Sequence, residues 1–170
     1  MRAYRHLVKL AGLLAVLASL SACGFQLRGS GGEYRMPFKS IYLNFPDTSS
    51  LGTELRRNLR GGDLVAVVSS PAAAEAQFDV VSENRGKQIL SLNSQGRVRE
   101  YLLSYTLVFK VRNAKGDLLL EPTEISLKRP LPYDESQVLA KESEEALLYR
   151  DMQTDLVQQI LRRLAAVKPG

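Results

Sequence analysis

Between Glu100 and Val111 the apolar residues Tyr101, Leu103, Tyr105, Leu107, Phe109 and Val111 occupy every second position, with Glu100, Ser104, Thr106 and Lys110 on the intervening side. Side chains along an extended chain point alternately to opposite faces, so this two-residue period marks a strand buried on one face and does not suit a helix. A strand with so regular an apolar face belongs at or near the middle of a sheet. The rest of the chain must supply its neighbours and a layer to cover that face.

The neighbours lie on either side in sequence. Phe78-Asp79-Val80-Val81 opens a long strand that continues past Gly86 through Ile89, Leu90 and Leu92, with a β-bulge expected at Gly86. Asn93-Ser94-Gln95-Gly96 reads as the hairpin turn into the alternating strand, and Asn113-Ala114-Lys115-Gly116 as the turn out of it. Leu118-Leu119-Leu120 begins the next strand, which Pro122 interrupts and which resumes through Ile125 and Leu127. A proline at that point fits an edge strand or a bulge. Arg129-Pro130-Leu131-Pro132-Tyr133-Asp134 is excluded from helix by its prolines and is expected to deliver the chain to a terminal helix.

That helix is expected over 136–167, with Ala146, Tyr149, Met152, Leu156, Ile160 and Leu164 as one apolar stripe against the sheet. Glu142, Glu144 and Glu145 stand early and Arg162, Arg163 and Lys168 late, as the helix dipole favours. Nearer the N-terminus, Ile41, Leu43 and Phe45 alternate with Ser40, Tyr42 and Asn44 as a first strand. Pro46 to Ser50 carries turn and N-cap chemistry, and Leu51, Leu55 and Leu59 recur on one face of a short helix ended by Gly61-Gly62. Arg56, Arg57 and Arg60 read as its solvated face rather than as a ligand site. Leu64 to Val68 is a short β-branched strand, so strand, helix and strand predict one right-handed crossover, followed by a small-residue linker over Pro71 to Ala76.

The chain begins with a basic head, Arg2, Arg5 and Lys9, and an apolar run from Leu10 to Leu20, too short to span a bilayer as a mature helix. It ends in Leu20-Ser21-Ala22-Cys23, the pattern of a bacterial lipobox. Residues 1–22 are therefore expected to be a lipoprotein signal peptide, with Cys23 acylated as the first mature residue. Gly24 stands where an aspartate would favour retention in the inner membrane, so the outer membrane is the expected destination. Residues 23–36, with Gly29, Gly31 and Gly32, read as a lipidated tether and 37–170 as the domain.

Processing also decides what chemistry the mature protein holds. The only histidine, His6, leaves with the signal, and the only cysteine is consumed by lipid, so thiol and imidazole nucleophiles and the usual zinc sites are excluded. No metal, cofactor or catalytic residue is expected. The head removes 3 of 23 basic residues and no acid, leaving 20 against 18, so charge does not point to nucleic acid as a partner.

Several ordered features carry a resemblance: Cys23-Gly24-Phe25-Gln26-Leu27-Arg28-Gly29 after the lipobox, the Glu100-Tyr101 strand start after a glycine turn, and the arginine and proline loop before Tyr133-Asp134. Val138-Leu139-Ala140-Lys141-Glu142 with Glu144-Glu145 completes the set. Together they resemble the LPS-assembly lipoprotein LptE family over nearly the whole mature chain, with Gln26 where the family often has histidine. The resemblance implies an α+β fold, a two-layer sandwich of two helices packed on one face of a mixed four- to five-stranded sheet. It also implies a lipoprotein of the outer membrane that plugs and supports assembly of the LptD β-barrel and binds lipopolysaccharide during export.

Lys141 falls on the family's Leu-Ala-Lys motif, and Arg97 and Arg99 lie near a turn where family members also carry basic residues, so these three are the candidate lipopolysaccharide contacts. Paired arginines suit phosphate. Lys141 reads equally well as an offset to Glu142, Glu144 and Glu145, and arginines beside a hairpin turn as solvated. Two other functions compete: a lipid-anchored cell-wall hydrolase working through Glu100 and Asp134, and a generic periplasmic scaffold.

Overall fold

The computed structural model describes residues 35–62 and 65–168; the signal, Cys23 and most of the tether lie outside them. The elements are β1 (Ser40–Asn44), α1 (Ser50–Gly61), β2 (Ala66–Val68), β3 (Ala76–Leu92), β4 (Val98–Asn113), β5 (Leu118–Pro132) and α2 (Val138–Ala165). The sheet order is β2-β1-β3-β4-β5. β1 runs parallel to both β2 and β3, as the β1-α1-β2 crossover requires, and β3, β4 and β5 are antiparallel. The sheet is thus mixed and five-stranded, with β4 one place in from an edge.

β4 fulfils its pattern. Leu103, Tyr105, Leu107, Phe109 and Val111 are fully buried, and the same layer holds Ile41, Leu43 and Phe78 from the sheet, Leu51, Leu55 and Leu59 from α1, and Met152, Leu156, Ile160 and Leu164 from α2. Phe78 stacks on Phe45 and Phe109, with centroids 5.4 and 4.7 Å away. Both helices therefore cover one face. Of the predicted stripe, Tyr149 is half-buried and Ala146 is exposed; Gln153, Val157 and Leu161 complete the buried side instead, because the helix meets the sheet chiefly over its C-terminal half.

Three local expectations change. Gly86 pairs regularly with Ser104, and the bulges fall at Val81 and around Leu90. Glycine at 86 answers a different need, since a Cβ there would lie 2.7 Å from Ser104 Oγ, and its carbonyl accepts the Tyr149 hydroxyl at 2.7 Å. Arg129-Pro130-Leu131-Pro132 is the end of β5 rather than a loop. Pro130 and Pro132 share a parity on an outermost strand, where alternate N–H groups point away from the sheet and need no partner. Pro122 lies where Phe109 pairs with Thr123 and Val111 with Leu120, so Glu121 and Pro122 together oppose Lys110 as a bulge on that edge. Finally, the terminal helix starts after a 3-10 turn, Glu135–Gln137.

Ser49 caps α1 as expected, its side chain accepting from Gly52 N at 3.0 Å. Gly52 itself is where α1 meets Phe45: a Cβ would stand 2.6 Å from Phe45 Cγ and 2.7 Å from its Cβ, the stem of a ring held in the aromatic stack. Gly52→Ala should therefore lower stability by about 1–3 kcal/mol, despite alanine's advantage of about 1 kcal/mol within a helix. Urea denaturation checks this, and a stabilised variant would show that Phe45 moves aside without cost.

Among the described residues the other face of the sheet carries no helix. Asn84, Thr106 and Ser126 form a polar row across β3, β4 and β5, with Thr106 and Ser126 hydroxyls 2.9 Å apart. On the same face Asp79 accepts from Arg112 Nε at 2.7 Å and from Asn44 Nδ2 at 3.2 Å. Burial alone would raise the Asp79 carboxyl, but these two donors outweigh it and hold the pKa below the ordinary carboxylate value.

Candidate functional site

The candidate basic residues gather at the end of the sheet farthest from β1 and β2. The β3–β4 turn is built by Asn93, whose side-chain oxygen accepts from the backbone N–H of Gln95 and Arg97 at 2.9 and 3.0 Å, with Gly96 at φ 77°. That positive φ is what glycine permits. Arg99 O accepts from Tyr133 N at 2.9 Å, and Tyr133 packs edge-on against Tyr101 at 5.1 Å, stapling the connection into α2 onto the base of the hairpin. Arg97 then meets Glu135 at 3.5 Å, an exposed pair of little energetic weight.

Asp134 caps the 3-10 turn, accepting from Ser136 N at 2.9 Å and Ser136 Oγ at 2.8 Å. Those bonds, with a smaller contribution from Lys141, hold its carboxyl below the usual value. Lys141 lies within that field but is already paired, 2.8 Å from Glu144, its side chain only 17% exposed. Of the three candidates, Arg99 alone has no side-chain ion pair among the described residues. The structure thus brings the β3–β4 turn and the start of α2 together, while tying Arg97 and Lys141 to carboxylates that an anionic ligand would have to displace.

Two further cations belong to this region and were not singled out from the sequence. Arg85 and Lys87 occupy positions in phase with the buried side of β4, opposite Tyr105 and Leu103. Lys87 Nζ lies 2.6 Å from Glu145 and 4.4 Å from the centre of the Tyr101 ring, and the Glu145 hydrogen bond raises its pKa. Arg85 lies 4.4 Å over Tyr105 and 5.5 Å from Tyr149. With Glu142 and Ala146 these side chains line an open cleft of about 510 Å³ between β3 and α2. The available signal was phase: charges at Glu83, Arg85 and Lys87 stand where the strand's pairing calls for apolar residues, and α2 answers them with Tyr149 and Glu145.

This end is also apolar. Ile89, Leu90 and Leu92 on the hairpin and Val138 and Leu139 opening α2 are exposed, Leu139 to 79%. Large exposed aliphatics among cations and carboxylates suit an amphiphile with acyl chains and a charged head group better than a small polar solute.

Residues 38–164 match the family model described as LptE, Lipopolysaccharide-assembly. The chain is 25% identical over 155 residues to the LPS-assembly lipoprotein LptE of Pectobacterium atrosepticum, covering 91% of this chain and 82% of that one. Among solved structures it is similar to the uncharacterized lipoprotein B of Nitrosomonas europaea, at TM-score 0.72 and 40% identity, over 84% of this chain and 91% of that one. It is also similar to the rare lipoprotein B of Shewanella oneidensis, at TM-score 0.66 and 26% identity over 75% and 95% of the two chains. A minor lipoprotein of Acinetobacter baumannii aligns at TM-score 0.63 and 26% identity, over 77% and 93%.

Proposed function

The chain belongs to the LptE lipopolysaccharide-assembly family, and from that premise we propose that it is a lipoprotein acylated at Cys23 and held in the outer membrane. There it seats in an LptD-type β-barrel, supports that barrel's assembly, and binds lipopolysaccharide at the end formed by the β3–β4 turn and the start of α2. The observation that carries the lipid reading is the coincidence of exposed Ile89, Leu90, Leu92 and Leu139 with Arg97, Arg99 and Lys141. The sheet face opposite α1 and α2, polar across β3, β4 and β5, suits contact with a wet barrel wall, where complementarity matters more than apolar area.

The hydrolase reading finds little support in its own residues. Glu100 accepts from Ser91 Oγ at 2.7 Å, and Asp134 is a cap whose carboxyl is held low, the opposite of the raised pKa a general acid needs near neutrality.

Replacing Arg97, Arg99 and Lys141 together with alanine should weaken binding to immobilised lipopolysaccharide by at least tenfold and flatten its salt dependence. Each lost charge-assisted bond is worth roughly 1.5–3 kcal/mol before screening and before the carboxylates they leave are counted. The fold should hold, since changes at exposed Arg97 and Arg99 shift stability by within about 0.5 kcal/mol and Lys141 gives up one part-buried pair with Glu144. The barrel should still co-purify in detergent. Unchanged affinity in a folded mutant would remove these residues from the site, and failure of a barrel to co-purify with the parent would remove the plug.

A further inference from the structure

The opposite end of the domain has a different character. α1 runs back along β1 and finishes near the start of that strand, where Ala66 N bonds Lys39 O at 3.0 Å. α2 finishes at the same end, and Val167 and Lys168 just beyond it line a cleft with Pro37, Phe38 and Glu75. Two helix C-termini therefore converge where the chain enters from the tether.

They bring a set of cations with them. Arg56, Arg57 and Arg60 line an open groove on α1 with Thr53 and Gly61; Arg162 and Arg163 stand in the last turn of α2, and Lys168 follows it. Among the described residues none of the six has a carboxylate within 4.0 Å. The described acids nearby serve other groups: Glu75 accepts from Lys39 N at 2.7 Å and Asp117 from Asn113 Nδ2 at 3.0 Å, while Asp63 lies outside the described residues. Helix dipoles account for a cation in each last turn. They do not account for Arg56 and Arg57, mid-helix, or for both helix ends sharing one side of the molecule. A mature chain with almost balanced charge is thus polarised, with cations in excess at the tether end and cations interleaved with acids at the other.

We propose that this tether-side basic end docks on a bilayer surface of anionic phospholipid, orienting the domain above the membrane that holds its anchor. The proposal rests on acylation at Cys23. Arg35 stands twelve positions after Cys23, so the two lie within about 43 Å whatever the path between them. That range includes direct contact, where the field of an anionic surface is still felt; it decays over about 8 Å at physiological salt. An arginine near such a surface strengthens association about fivefold. Until a barrel receives the domain, a tether alone leaves it free to tumble, whereas basic residues on one side select one orientation.

Acylation of Cys23 would leave the chain with no other cysteine, so single fluorophores can be placed on the full lipidated protein at Gly61→Cys, where a side chain meets open space, at Ala166→Cys or, at the far end, at Ser94→Cys. Each protein is reconstituted into vesicles of phosphatidylethanolamine with phosphatidylglycerol, or of phosphatidylcholine alone, carrying a head-group nitroxide quencher. Intact mass first verifies acylation, so a failed anchor registers there and a failed docking surface registers as absent quenching in acylated protein. The expected result is quenching at the Gly61 and Ala166 positions but not at Ser94, in anionic vesicles only. It should fall at high salt and fall by more than tenfold in binding constant when Arg56, Arg60 and Arg162 are all changed to glutamate. Equal quenching in neutral vesicles, indifference to salt, or equal quenching at Ser94 would overturn the proposal. Circular dichroism controls the charge-reversed variant, and the lipid and salt dependence of the parent decides the matter if that variant misfolds.

Discussion

Cys23→Ala should leave the protein with no acyl chain and release it from the membrane fraction. Each buried methylene contributes about 0.8 kcal/mol, so several acyl chains make an anchor that no surface contact on the domain can replace. The electrostatic docking proposed for the tether-side end is far weaker and salt-sensitive. A high-salt wash should accordingly strip any Cys23→Ala protein that still associates with membranes, while leaving the parent in place. Metabolic labelling with a fatty acid gives the direct readout, and undiminished label in the variant would refute acylation at this residue. The domain should fold regardless, because the described core runs from Phe38 to Leu164, all of it beyond the tether.

What was legible in the sequence follows the strength of each local signal. β4 alternates without exception across its buried positions, which suffices to put it next to the central strand; α1, with Ser49 before it and three leucines four apart, is equally plain. Errors arose where two signals conflicted. Prolines argue against regular structure, and only the position of β5 at the sheet edge, a tertiary fact, makes Pro130 and Pro132 tolerable within it. Gly86 reads as a bulge because glycine weakens strands, yet it pairs regularly, and a side chain there would crowd the Ser104 hydroxyl. For the candidate site, the sequence named Arg97, Arg99 and Lys141 without showing whether a strand and a loop apart they meet. Tyr133 on Arg99 and Glu135 on Arg97 supply that connection. The pairing of Lys141 with Glu144 was one of the two readings open to it.

The buried polar cluster beneath the helices was the least legible part, since its members come from four elements. Tyr105 on β4 donates to Glu83 at 2.5 Å and accepts from Arg85 at 3.1 Å. Burial, then the Glu83 carboxylate, pushes the Tyr105 phenol up to about 12 from a usual 10.0. The folded pKa is raised, so this contribution is complete below pH 10 and is lost as pH rises toward about 12. Stability should decline across that window by about 2 kcal/mol more in the parent than in Tyr105→Phe.

Gln153→Leu should destabilise the fold by about 3 kcal/mol, a substantial part of the 5–15 kcal/mol typical of a domain this size. Gln153 on α2 is 8% exposed, and its amide ties that helix to two other elements, α1 and β3. Its Nε2 donates to Glu54 Oε2 on α1 at 2.6 Å, while its Oε1 accepts from Ser50 Oγ at 2.7 Å and from Arg85 Nη2 on β3 at 3.0 Å. Glu54, 9% exposed, has one other side-chain donor, Thr154 Oγ1 at 2.9 Å. Leucine keeps the volume but strips a buried carboxylate of one donor and a guanidinium of one acceptor, and an ion left short of partners costs more than a neutral group does. Glu54→Leu should be damaging for the same reason. The double variant removes donor and acceptor together, so it should lose 0.5–3 kcal/mol less than the two single losses combined, in the order of magnitude seen for coupled neighbours. Chemical denaturation of the four proteins closes the cycle. Strict additivity would show that Glu54 and Gln153 are independently solvated and that apolar packing alone holds α1 to α2.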